Sequence, residues 1–319
     1  LGANEAPPAI ISMFIGDELQ GVLDAIENGT PVAENSDKIF EIGVDALPNF
    51  PKDATDRNRT SPFAFTGNKF EFRMLGSADS ISCTNVMMNT IVAQVLSEFA
   101  DELEKADDFK SALKALIKKT IKEHKRVIFN GNGYSDEWLA EAERRGLPNL
   151  VSTVDALPHY TDEKYIKMFE KFKVYTKAEI YSRQEILLEN YSKVINIEAL
   201  TMLDMAKKLI APAALEYTKF VSDAVNVKKS AGIDSSLEEK IAGKLSSLTS
   251  SIYSAIDTLD EKRIASKDHE ETAESLARYY REEVFTSMQS LRAVADELEM
   301  NVPTKYWPIP TYTDLLFTV

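Results

Sequence analysis

The sequence predicts an α+β chain that is mainly helical, with a β-bearing region first and a long-helix region after it. Three observations predict this. Residues 1 to 83 hold seven of the 12 Gly and six of the 12 Pro, set among short alternating apolar runs. From residue 84 onward, apolar side chains recur at intervals of three and four, the period of amphipathic helices. The length of 319 residues, at roughly 150 per domain, leaves room for two domains. The division is placed at 105, giving a region 1–105 and a helical region 106–319.

The elements follow in order. Ala9 to Phe14 is a short apolar run suited to a buried strand. Gly16-Asp17 opens a helix with Asp17 as N-cap and Leu19, Val22, Leu23 and Ile26 on one face, and Asn28-Gly29 ends it. Residues 39–46 read as another strand, and 48–58, with Pro48 and Pro51, as a loop. Ser61–Phe65 and Lys69–Leu75 flank the turn-forming Thr66-Gly67-Asn68 and predict a hairpin. Alternation in its second strand sends Phe70, Phe72 and Met74 to one face and Lys69, Glu71, Arg73 and Leu75 to the other.

Thr84-Asn85 is read as the cap of a helix to about Lys105, with Val86, Met87, Thr90, Ile91, Val95 and Phe99 as its apolar stripe. A helix from Asp107 to about Lys125 follows, then the loop Asn130-Gly131-Asn132-Gly133-Tyr134. Ser135 caps a helix that contains Trp138 and ends at Gly146. Residues 147–161 connect to a helix from Asp162. A long helical stretch, 176–228, comes next, which Pro212 must kink or interrupt. After a break at Ser230-Ala231-Gly232, the spacing predicts two long helices, about 235–265 and 268–299, packed antiparallel. The proline-bearing tail 302–319 is expected to be extended.

Composition narrows the function classes. Hydrophobic residues at 44% and charged residues at 28% exclude wholesale disorder. A net charge of −14 argues against a nucleic-acid or anionic-membrane binder, since phosphate contact needs clustered positive charge. No apolar run approaches the roughly 18 residues of a membrane-spanning helix. The single cysteine, Cys83, rules out an intrachain disulfide and fits a reducing compartment, so a cytoplasmic location is expected. The start has neither an initiator Met nor a basic-then-apolar leader, so a piece of a longer polypeptide is expected. The three histidines are far apart, and there is no HExxH, CxxC, GxSxG or GxxxxGK[ST].

Three segments carry residue types suited to chemistry. In Asn4-Glu5-Ala6-Pro7-Pro8 a carboxylate stands beside a stiff Pro pair, fit to be held over a site or to be a plain surface acid. Asp56-Arg57-Asn58-Arg59-Thr60 gathers two guanidinium groups, which match phosphate oxygens bidentately or form an ordinary ion-pair cluster. In Glu71-Phe72-Arg73 the two charges share a strand face about 7 Å apart, where they would hold a divalent cation and an anionic group, or pair across an exposed sheet face.

Together the three segments resemble the C-terminal part of the catalytic domain of glutamine synthetases, in the large type III branch. The marks are Gly2 to Ile11, then Thr55-Asp56-Arg57-Asn58-Arg59-Thr60-Ser61-Pro62-Phe63-Ala64-Phe65, then Lys69-Phe70-Glu71-Phe72-Arg73-Met74. Motif matching covers about residues 2–95. The later helices are similar to the type III C-terminal region in character, best in Phe129-Asn130-Gly131-Asn132-Gly133-Tyr134. The resemblance implies that 1–105 is the end of the catalytic domain and 106–319 the helical C-terminal region. It implies that Glu5 closes the glutamate entrance and takes a proton from ammonium. Arg59, with Arg57 beside it, would contact ATP phosphate. Glu71 would bind one of two Mg²⁺ or Mn²⁺ ions, and Arg73 the substrate carboxylate and the transferring phosphoryl group.

Many family members carry a further Arg five residues after Arg59. Here that position is Ala64, an apolar residue that agrees with the type III pattern. The family's acidic metal-ligand motif, His-bearing loop and N-terminal domain are not in these residues. The resemblance therefore implies glutamate–ammonia ligation through γ-glutamyl phosphate in a longer parent, with this piece inactive alone. Its partners would be glutamate, ammonia, ATP, the rest of the parent chain and neighbouring subunits of a homo-oligomeric ring. A γ-glutamyl-amine ligase of the same superfamily and a non-enzymatic helical assembly module are the alternatives.

Overall fold

The computed structural model describes residues 6–31, 39–40, 50–51, 61–73, 80–310 and 312–316. The chain forms two compact units, Leu1–Ile180 and Tyr181–Val319.

The first unit is built on a three-stranded sheet in the order β1-β4-β5. Strand β1 (Met13–Phe14) runs parallel to β4 (Phe63–Phe65), with Met13 opposite Phe63, and β4 runs antiparallel to β5 (Phe70–Phe72), with Ala64 opposite Glu71. Of the apolar run 9–14, then, only two residues pair. The hairpin matches its prediction, with Gly67 in the turn at φ 91°. Met74 and Leu75, expected to extend its second strand, lie outside the described residues. Phe63 meets Phe72 at 4.6 Å between ring centroids and Phe65 meets Phe70 at 5.2 Å. Such cross-strand aromatic pairs fix the register and leave Glu71 on the opposite face. Ile128 adds a parallel bridge to Met13 on the other side of β1.

Two further strands, β2 (Ile39–Phe40) and β3 (Phe50–Pro51), pair antiparallel. The rest of the strand expected over 39–46 lies outside the described residues. Strand β3 lies inside the stretch expected to be a loop. Among the described residues each of these strands pairs on one side alone, as an edge strand does, and an edge tolerates proline.

Helix α1 (Gly16–Asn28) ends as expected on Gly29, left-handed at φ 70°. Its N-cap is Ile15 rather than Asp17, and Ile15 has no side chain to cap with. Asn130 supplies the missing acceptor from far along the chain: its Oδ1 accepts the N–H groups of Ile15 and Gly16, each at 3.0 Å. Helix α2 (Ser82–Leu103) starts ahead of Thr84-Asn85, and Ser80 Oγ accepts from the N–H of Ser82 at 3.2 Å. Of its stripe, Thr90 is buried and Val86 and Met87 pack on Ile166, Met168, Phe169 and Ile180, while Ile91 and Val95 are exposed. Helix α3 (Phe109–His124) is capped by Asp108, whose carboxyl is held below its usual range by hydrogen bonds from Ser111 and the backbone of Lys110.

Helix α4 (Asp136–Arg144) is capped by Ser135, as its sequence predicts. Trp138 and Ala142 bury against Ile10, with Phe129, Leu139 and Leu147 around them. The connection 147–161 contains a short helix, α5 (Thr153–Ala156), and a 3-10 turn, Leu157–Thr161. Helix α6 (Glu163–Lys171) follows, and α7 (Lys177–Met205) begins in this unit.

In the second unit the helix of α7 passes through Pro212 without a gap. A five-residue π turn, Ala206–Ile210, precedes α8 (Ala211–Ser230). Proline lacks an N–H and crowds the carbonyl four residues back, and the widened turn relieves both effects. Gly232 at φ 70° reverses the chain into α9 (Ser236–Ala265). Helix α10 (Ala273–Tyr279), a second π turn at Tyr280–Val284 and α11 (Phe285–Asn301) form the return helix. Helix α9 packs between α8 and α11, with Leu245, Ile252, Ile256 and Leu259 buried against Val284, Leu291 and Leu298. The tail closes this core with Val302 and Trp307, and ends in α12 (Tyr312–Leu316), a helical turn where extended chain was expected.

Candidate active-site strand

The β4–β5 hairpin brings together two of the predicted site residues. Arg73 follows β5 directly, and its backbone N–H donates to the Pro62 carbonyl at 2.7 Å, which carries the pairing one step past the strand. Residues 71 and 73 therefore share a face, and Arg73 Nη2 donates to Glu71 Oε2 at 3.2 Å. Lys69, on the same face, places Nζ 3.6 Å from the other carboxylate oxygen. The Glu71 side chain is 40% exposed and that of Arg73 24%, so the pair faces outward from the sheet with the guanidinium more covered. Opposite Glu71, Ala64 is fully buried.

The alternation rule thus places Glu71 and Arg73 correctly, and the charged partner it did not single out, Lys69, was visible in the same pattern. Glu5, Arg57 and Arg59 lie outside the described residues. Among the described residues, no three His, Cys, Asp or Glu side chains gather where a metal ion would sit. Glu71 offers the hard oxygen donor that Mg²⁺ or Mn²⁺ prefers, but as a single ligand. Lys119 on α3 pairs with Glu102 at 3.1 Å, and Lys125, just past its end, with Glu27 at 2.7 Å.

Asn130 has no local signal in the sequence, because its partners lie 114 and 115 residues away. Around it, Phe129 stacks on Trp138 with centroids 3.8 Å apart and planes at 12°. Arg145 lies over the Trp138 ring at 5.5 Å and donates to the Ile128 carbonyl at 2.8 Å. Glu141 accepts from Arg144 and Arg145, which hold its carboxyl down at about 2.

A separate groove of about 570 Å³ lies in the second unit, lined by Met202, Met205, Met288, Leu291, Trp307 and Ile309 among others. None of the predicted site residues lines it. No helix among the described residues is long and apolar enough to cross a membrane.

The family model of the glutamine synthetase C-terminal domain matches residues 112–229. The chain is 39% identical to the type-3 glutamine synthetase of Dictyostelium discoideum, over 99% of its own length and 44% of that protein's. It is 42% identical to a glutamine synthetase of Butyrivibrio fibrisolvens, over 100% of its length and 46% of the relative's. To a glutamine synthetase of Bacteroides fragilis it is 33% identical, over 100% and 45%. The chain thus spans a little under half the length of the curated relatives it matches. Similarity that runs from end to end, with the family's C-terminal domain inside it, shows that the chain belongs to the glutamine synthetase family.

Proposed function

We propose that this chain forms one wall of the active site of an ATP-dependent glutamate–ammonia ligase, with the other walls supplied by residues outside the 319 and by neighbouring subunits of a homo-oligomeric ring. The observation that carries the reading is the shared face of Glu71 and Arg73 on a hairpin within a chain similar throughout to glutamine synthetases. Residues 1–105 then complete the catalytic domain and 106–319 form the helical C-terminal region, a division supported by the family match beginning at residue 112.

The chemistry follows from the residue types. A γ-carboxylate oxygen of glutamate attacks the γ-phosphorus of ATP, and the bond to ADP breaks. Ammonium gives up a proton, ammonia attacks the acyl carbon, and phosphate leaves. The net change converts glutamate, ammonium and ATP into glutamine, ADP, phosphate and a proton. Arg73 offers a planar guanidinium to the substrate carboxylate and to the phosphoryl oxygens as charge gathers on them. Arg59 and Arg57 neutralise nucleotide phosphate, and Glu5 accepts the ammonium proton. Glu71 would contribute one ligand to a Mg²⁺ or Mn²⁺ ion, which when bound lowers the charge repulsion between ATP and the carboxylate. One carboxylate does not complete a site for two such ions, so the chain by itself is expected to be inactive.

A cytoplasmic setting is supported by the single free thiol of Cys83, which is exposed. The test of the substrate is to offer the full-length polypeptide carrying this chain ammonia against methylamine and longer amines, with ATP and Mg²⁺. Preference for ammonia supports the reading, and preference for an alkylamine would make the enzyme a γ-glutamyl-amine ligase instead.

A further inference from the structure

Asn130 belongs to the helical region, yet its hydrogen bonds lead back to the sheet that carries Glu71 and Arg73. Its Oδ1 accepts from two successive backbone donors, Ile15 and Gly16, which directly follow β1. Gly16 adopts φ 75°, and this left-handed turn aims both N–H groups at one point. Ile15 is 2% exposed, and Gly16 is buried as well, so no solvent replaces a lost acceptor cheaply. One residue earlier, the Phe129 N–H donates to the Met13 carbonyl at 2.9 Å, and Ile128 bridges Met13 in parallel. The segment 128–130 therefore holds β1 along its outer edge and at its end.

From β1 the connection is short. Met13 pairs with Phe63, Phe63 with Phe72, and Phe63 N–H also reaches the Ser12 carbonyl at 3.3 Å. Two strand steps separate the Asn130 anchor from Glu71 and Arg73. The anchor is itself immobilised. The Phe129 ring lies on Trp138 and so close over Gly131 that a β-carbon there would come within 2.5 Å of it, and Arg145 fixes the Ile128 carbonyl.

We infer that Asn130 is a positioning residue for the ligase site: by holding the end of β1 it sets the place of the β4–β5 hairpin, and through it of Glu71 and Arg73. The inference rests on the reading of that hairpin as part of the active site. The requirement is for an acceptor able to take two N–H groups. The carboxylate introduced by N130D would do the same, with a charge that a helix N-terminus favours, whereas the methyl group left by N130A accepts nothing.

The test uses N130A and N130D in the full-length polypeptide that carries this chain, with two readouts. Amide hydrogen exchange across residues 62–73 should speed up at least about tenfold in N130A and return to within about threefold of the parent in N130D, the scale set by losing a buried hydrogen bond. The apparent activation constant for Mg²⁺ and the KM for glutamate should rise by about the same factor in N130A, and N130D should restore both. If N130A does not fold, N130S, with its shorter single hydroxyl, is read in the same way. Faster exchange confined to Ile15 and Gly16, with the hairpin unchanged, would overturn the positioning role, as would N130D behaving like N130A. Absence of ligase activity in the parent would instead sink the proposed function, and the hairpin exchange would still decide whether Asn130 positions β4–β5.

Discussion

Arg73 Nη2 sits 3.2 Å from Glu71 Oε2, its neighbour two residues back on the same strand face. An ion pair this exposed on its acid side contributes about 0–1 kcal/mol to stability. The Glu71 carboxylate can therefore turn toward a cation at little cost to the fold.

Replacing Glu71 should separate activity from stability. E71Q is expected to shift the unfolding free energy by less than about 1 kcal/mol. Ligase turnover of the full-length polypeptide should fall on the order of 10²–10³-fold, the usual cost of losing a group aimed at developing charge. Urea unfolding and steady-state kinetics on the same preparations check both. A large loss of stability with activity retained would return the pair to a structural role.

Gly131 is required by the Phe129 ring, since an added β-carbon would lie 2.5 Å from its edge carbon. G131A should displace the ring from Trp138 and cost about 1–3 kcal/mol, the range for overpacking. Trp138 and Trp307 are the two tryptophans, so the fluorescence change is readily assigned with a W307F background. An unchanged spectrum and stability would mean that the stack is not held in this way.

The indole Nε1–H of Trp307 is buried with no hydrogen-bond partner among the described residues. An unsatisfied buried donor costs about 1–3 kcal/mol, and W307F removes it while keeping most of the ring. W307F should leave stability within about 1 kcal/mol of the parent, against a loss of about 3–5 kcal/mol for W307A. Thermal and urea unfolding would detect the contrast. Equal losses for the two variants would show that the N–H has a partner after all.

Glu141 sets an acid limit on α4. Hydrogen bonds from Arg144 and Arg145 lower its carboxyl from 4.5 to about 2. A group whose pKa is lower in the folded state contributes above the unfolded value and loses that contribution as pH falls through the folded one. The stabilisation should therefore be complete above about pH 4.5 and fade toward pH 2. E141Q should flatten urea midpoints measured across that range, and added salt should shrink the difference, because the group is solvent-screened. Identical pH profiles for parent and E141Q would contradict the assignment.

Much of this structure was legible locally. The hairpin around Gly67 follows from alternation and turn residues, Ser135 and Gly29 follow from capping rules, and the buried Leu245, Ile252, Ile256 and Leu259 follow from helical periodicity. Local rules erred where a distant group did the work. Asp17 looks like a cap, but the acceptor is Asn130, on a loop that only the fold brings near. Pro212 signals a kink or an interruption, and the chain answers with a π turn just ahead of it, whereas the second π turn at Tyr280–Val284 has no proline to announce it. At the candidate site, the shared face of Glu71 and Arg73 was readable because a strand has a fixed two-residue period, while the roles proposed for them come from the resemblance to glutamine synthetases. What holds their strand in place was not readable, because sheet order depends on pairings between segments far apart in sequence.

If this chain supplies Glu71 and Arg73 to a ligase site completed by residues beyond it, activity must depend on both parts. The most direct test is glutamine formation from glutamate, ammonia, ATP and Mg²⁺, followed with the full-length polypeptide, its R73A variant and the 319-residue chain alone. Glutamine, ADP and phosphate are expected in equal amounts from the full-length polypeptide, and none above background from R73A or from the chain alone. Undiminished glutamine formation by R73A, or turnover by the 319-residue chain without the remainder, would contradict that dependence.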